Sequence, residues 1–144
     1  MSASLPTPMM VHLFAALAAL LLGAWQLLAA RRGARHRTVG YLWLLAMLVT
    51  SLSSFWLRSG LGVAWLAGFS PIHALSVFTL VSLAMALFHA RARDFRRHRR
   101  WIAGAYAGLV VAGIIAAALP GRALHAMLFV ELPRLVVAAA AQQF

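Results

Sequence analysis

The sequence predicts an all-α integral membrane protein: a four-helix transmembrane bundle built as two repeated hairpins, followed by a C-terminal interfacial or fifth helix. Three observations predict this fold. Of 144 residues, 64% are hydrophobic and only 10% are charged, whereas about a quarter of the residues in a soluble domain are charged. Too little polar surface is present to cover a globule, and with no cysteine a disulfide scaffold is excluded as well. The apolar residues fall into four long runs. The arginines collect in the breaks between them. The formal charge of +11 therefore has no polar face to present to nucleic acid, and none is expected as a partner.

The four runs are Met9 to Ala30, Val39 to Leu57, Pro71 to Ala90 and Trp101 to Leu119. Each is close to the roughly 20 helical residues needed to cross a hydrocarbon core about 30 Å thick. Lipid offers no partner to an unpaired backbone group, so each run must be helical. None has an acidic or basic residue in its middle. Between the first two runs stand Arg31, Arg32, Arg35 and Arg37; between the last two stand Arg91, Arg93, Arg96, Arg97, Arg99 and Arg100. The positive-inside rule places both breaks in the cytoplasm, with the N-terminus and the loop from Arg58 to Ser70 outside. The expected location is a bacterial inner membrane. Trp25, Trp43, Trp56, Trp65 and Trp101 read as interfacial anchors near span ends. The first run lacks a preceding basic region, so it is expected to remain as a helix rather than be removed as a signal peptide.

From Arg122 to Phe144 the chain is apolar but contains His125, Glu131, Pro133 and Arg134. A carboxylate or guanidinium at mid-bilayer costs roughly 2.5–3.5 kcal/mol on insertion scales, and a proline interrupts a helix. The reading is an interfacial or broken helix on the outer side, with a fifth span as the alternative. Glu131 and Arg134, three residues apart, are placed to neutralise each other in part.

Self-comparison shows a repeat. His12 lies near the start of the first hairpin, and Arg35-His36-Arg37 with Gly40-Tyr41 follows its turn. His73 lies near the start of the second, and Arg97-His98-Arg99 with Gly104 and Tyr106 follows its turn. Both hairpins begin outside, so the repeat is parallel about the membrane normal.

With almost no carboxylates, histidine is the residue type left to carry chemistry. His12 and His73 sit at similar depth on the odd-numbered helices, and bundle interiors hold cofactors between facing helices. Imidazole is a ligand for haem iron and for copper or zinc, and it hydrogen-bonds quinones. His12 and His73 are thus candidate haem or metal ligands near the outer face. His89, on a stripe with Ser76, Thr79 and Ser82, is the candidate at the inner end, and His36 and His98 in the basic turns are further candidates. Arg35, Arg37, Arg97 and Arg99 are candidates to meet haem propionates or lipid headgroups. Thr50, Ser51, Ser53, Ser54 and the Gly104-x-x-x-Gly108 face read as helix packing. No motif supports acid–base catalysis by paired carboxylates, a cysteine nucleophile, a phosphate-binding loop or a zinc protease.

The residues His12, Ala15, Leu20, Gly23, Gln26-Leu27, Arg32-Gly33, His36-Arg37, Gly40-Tyr41, Ser51, Ser54-Phe55, His73, Arg91, His98-Arg99, Trp101, Tyr106 and Pro120-Gly121-Arg122 carry a likeness over about residues 10 to 128. In them the chain resembles a widespread bacterial family of small predicted membrane proteins of unknown function, which implies an inner-membrane four-helix protein and no established reaction. In architecture and histidine placement it is also similar to the cytochrome b561 and ferric-reductase group, whose bundles hold b-type haems between histidines. The functional expectation is a small electron-transfer protein binding b-type haem, a metal or a quinone. The alternative is a non-catalytic assembly or packing subunit of a larger membrane complex; the expected partners are membrane lipids and a larger complex or further copies of the chain.

Overall fold

The computed structural model describes residues 7–28, 33–57, 71–121 and 123–141. Arg31, Arg32, the stretch 58–70 with Trp65, and Arg122 lie outside the described residues. All regular structure there is helical: α1 Thr7–Leu28, α2 Ala34–Ser54, α3 Pro71–Arg91, α4 Phe95–Ala118, α5 Ala123–Ala126 and α6 Leu132–Ala141. The chain forms two compact units, residues 1–109 and 110–144.

In the first unit, α2 packs against both α1 and α3. A small core joins Ala19 of α1, Trp43 and Met47 of α2, Leu83 of α3 and Ala105 of α4, with Tyr106 and Leu109 against it. Most large apolar side chains face outward, among them Phe14, Leu21, Leu45, Val81 and Phe88. A soluble protein inverts that arrangement; here hydrocarbon is the solvent. α1, α3 from His73, and α4 are each long and apolar enough to cross a membrane. At 21 residues α2 is as long, but Arg35 and Arg37 at its start and Ser51, Ser53 and Ser54 at its end make it less apolar.

Two features of the first unit differ from the sequence expectation. Trp43 is not an interfacial anchor: it is 3% exposed in the core, ten residues into α2, because that helix begins at Ala34 and not at Val39. The basic triplets are not in loops either. Arg35-His36-Arg37 forms the first turn of α2 and Arg96 to Arg100 the first turns of α4. The turn between α3 and α4 is therefore very short, from Ala92 to Asp94. Gly33, at φ +93°, begins α2, and such backbone is available to glycine at little cost.

Close helix approach depends on glycine at one crossing. A Cβ at Gly23 would overlap the Tyr106 ring and lie 2.7 Å from Trp43 Nε1. Polar side chains add links between helices: Ser54 and Ser76 share a hydrogen bond of 2.6 Å across α2 and α3, and Gln26 Nε2 donates to the His36 carbonyl at 3.0 Å.

In the second unit, the end of α4 turns at Pro120-Gly121 and His125 Nδ1 donates to the Ala117 carbonyl at 2.9 Å. The expected break at Pro133 is absent. Residues 123–141 are helical throughout, with one π-helical turn at Met127–Glu131 just before the proline. Proline has no N–H and crowds the carbonyl four residues back; a wider turn makes room for it. The run Leu124–Ala141 has the length and apolarity to cross a membrane. Glu131 and Arg134 form no ion pair; the ion pairs among the described residues are both made by Asp94.

Candidate functional site

The turn between α3 and α4 sets the geometry at the arginine-rich end. Asp94 N–H bonds to the His89 carbonyl at 2.9 Å and Arg93 N–H to the Ala90 carbonyl at 3.2 Å, a Schellman cap closing α3. Its left-handed position is usually glycine; here Arg93 holds φ +58°. The next residue caps α4, as Asp94 Oδ1 accepts from Arg97 N–H at 3.0 Å. One residue thus ends one helix and starts the next, which holds the Asp94 carboxylate beside His89. Its Oδ2 lies 3.9 Å from His89 Nδ1 and 3.5 Å from Arg97 Nε.

His89 is buried, 6% exposed. It lines an open groove of ≈700 Å³ between α3 and α4, with Phe78, Met85 and Phe88 from α3 and Arg97, Arg100, Trp101 and Gly104 from α4. At 3.9 Å the Asp94 carboxylate is too far for a hydrogen bond but lies on the Nδ1 side of the ring, so Nε2 is the nitrogen on the side away from it. A ligand histidine commonly hands its other nitrogen to a carboxylate or carbonyl, which fixes the tautomer and ring orientation. The Arg93-Asp94 turn also brings α4 back onto α3 so that its guanidiniums reach the mouth of an otherwise apolar groove.

The other candidates are placed as follows. His98 Nδ1 donates to the Ala86 carbonyl at 2.8 Å, so it ties α4 to α3 and does not line the groove. His36 stands in the first turn of α2, where its carbonyl receives Gln26. All four arginines expected to meet an anion are exposed, and of them Arg97 alone lines the groove. Basic residues in a first helical turn oppose the helix dipole, by about 0.3–1 kcal/mol each, so helix stability does not explain their placement.

At the opposite end, His12 Nδ1 donates to the Thr50 carbonyl at 3.1 Å and to Ser53 Oγ at 3.0 Å. His73 is buried and packs its ring on Phe55, centroids 5.7 Å apart. Both histidines thus meet the last turns of α2, His12 through Ser53 and His73 through Phe55. Among the described residues no group of three or more His, Cys, Asp or Glu is placed to hold a metal ion. Haem supplies four nitrogens itself and needs fewer protein ligands.

Between the two ends, α3 buries His73, Ser76, Thr79, Ser82 and His89. Thr79 and Ser82 donate to the carbonyls of Leu75 and Phe78 at 2.9 and 2.8 Å. The stripe read from sequence is thus a buried face, and its two histidines are separated by about 24 Å along the axis at 1.5 Å per residue.

Sequence reasoning passed over Asp94 and Arg100. Asp94 had a usable signal: an aspartate directly before a helical run is a favoured N-cap. Arg100 had none, since six arginines crowd that segment and only the fold selects those that face the groove. No curated protein and no solved structure matches the chain. A family described as "Predicted membrane protein (DUF2306)" matches residues 9–141, nearly the whole chain, and the protein belongs to that family.

Proposed function

We propose that this is a small electron-transfer protein of the bacterial inner membrane, holding a b-type haem through histidine at its arginine-rich end. The positive-inside rule puts that end in the cytoplasm and the N-terminus outside. One observation carries the reading: a buried imidazole, backed by a carboxylate, lines an aromatic groove whose mouth holds two guanidiniums. Ligand sites have this composition, mostly apolar with a few convergent polar groups. A buried histidine in a membrane helix marks a functional position by default.

This reading moves the weight from His12 and His73 to His89. The pocket at the opposite end, bounded by Val11, Val49, Leu52 and Trp56, is almost wholly apolar and is lined by neither histidine. The alternative of a packing subunit drew on small-residue helix faces. Within the first unit these are occupied, Gly104 and Gly108 facing Phe78 and Leu75.

Protein purified in mild detergent from haem-replete cells is expected to show a Soret band and a reduced-minus-oxidised difference spectrum. Absence of the band, with no haem extractable from a folded preparation, would falsify the proposal.

A further inference from the structure

The groove between α3 and α4 carries more than a general redox reading. We infer that it takes the dicarboxylate tetrapyrrole on a single axial ligand, His89, with the propionates at Arg97 and Arg100 and the second axial position open; this rests on the haem reading above. The juxtaposition of one buried imidazole, two guanidiniums and aromatic and thioether side chains selects that occupant.

Charge comes first. Haem presents two carboxylates at one edge, and the groove mouth presents two guanidiniums on α4, three residues apart and so on one helix face. Asp94 engages Arg97 from behind at 3.5 Å; among the described residues Arg100 makes no ion pair. A neutral quinone leaves both guanidiniums without a counter-charge. A phospholipid phosphate uses the arginines but gives the buried His89 nothing to bind.

Shape agrees with charge. The ≈700 Å³ volume lies within the range of about 300–1,000 Å³ usual for small-molecule sites. Phe78, Phe88, Met85 and Trp101 offer aromatic and thioether surface to a planar ring.

The open sixth position follows from what else lines the groove. His89 is its only histidine. His98, the nearest in sequence, has its Nδ1 on Ala86 O and lies outside. Met85 stands one turn before His89 on the same helix, so it packs beside that ligand and not across from it.

The test is titration of hemin and of hemin dimethyl ester into purified full-length protein, read by absorption and electron paramagnetic resonance. The wild type is expected to bind hemin as a five-coordinate high-spin complex and to hold the ester more weakly. Replacing both arginines (Arg97→Ala with Arg100→Ala) should loosen hemin by at least about tenfold, the scale of a charge-assisted hydrogen bond, while leaving the ester unchanged. His89→Ala should lose the axial signature and regain it with added imidazole, which also shows that the variant is folded. Asp94→Asn keeps a capping side chain and should loosen hemin about tenfold through the ligand's orientation. A six-coordinate low-spin spectrum that persists in His89→Ala and disappears in His12→Ala or His73→Ala overturns this coordination and the placement at the arginine-rich end, and leaves only haem binding by the protein standing. Equal binding of hemin and its ester, unaffected by His89→Ala, shows partition into detergent and overturns the site. No binding of hemin by the folded wild type ends both.

Discussion

Gly23 and Arg93 are opposite cases of a backbone position matched or mismatched to its residue. At Gly23 the helices approach until a methyl group has no room against Tyr106 and Trp43. Gly23→Ala is therefore expected to lower the thermal stability of the detergent-solubilised protein, by about 1–3 kcal/mol as for overpacking elsewhere. An unchanged melting temperature would show that the crossing is looser than drawn. Arg93 occupies a left-handed position that disfavours a residue with a Cβ by roughly 1–2 kcal/mol. Arg93→Gly should raise stability by about 1 kcal/mol, less than that strain because glycine is the more flexible residue unfolded. The glycine was visible in the sequence as part of a family-like pattern. Its reason was not, because Tyr106 lies 83 residues away and meets it only after the helices pack.

α3 shows how far a helix can be read by itself. Its hydroxyl stripe was legible from spacing, since polar side chains in a span must face protein, and the structure buries Ser76, Thr79 and Ser82. Their partners were not legible: Ser76 meets Ser54 on α2. A double-mutant cycle on Ser54→Ala and Ser76→Ala should give a coupling of about 0.6 kcal/mol, the average for such bonds in membranes; a value of zero would make the contact incidental. The helix ends were misjudged for a physical reason. Hydropathy marks where apolar residues begin, whereas α2 and α4 begin just after Gly33 and Asp94, inside the basic segments, where the left-handed glycine and the capping carboxylate sit. Asp94→Ala removes a cap worth about 1 kcal/mol together with the carboxylate beside His89. It should lower the melting temperature more than Asp94→Asn, which retains capping.

For the whole molecule, the arginine clusters give a topology that can be checked directly because the chain has no cysteine. With single cysteines introduced, Trp56→Cys should react with a membrane-impermeant thiol reagent in intact cells, and Arg99→Cys only after lysis. The reverse pattern would invert the orientation. Composition, span length and charge asymmetry by themselves determined a helical membrane protein of two hairpins, since hydrocarbon imposes these requirements on each segment separately. They also left histidine as the residue type on which a site could be proposed. Tertiary structure alone decided which histidine lines the α3–α4 groove. His12, His89 and His98 each present Nδ1 to a carbonyl or carboxylate, yet only His89 opens onto the α3–α4 groove with arginines at its mouth. That distinction depends on how a three-residue turn, closed by Arg93 and Asp94, lays one helix against another. No local hydrophobic or charge pattern encodes such a contact, because it arises from the simultaneous fit of two helix ends.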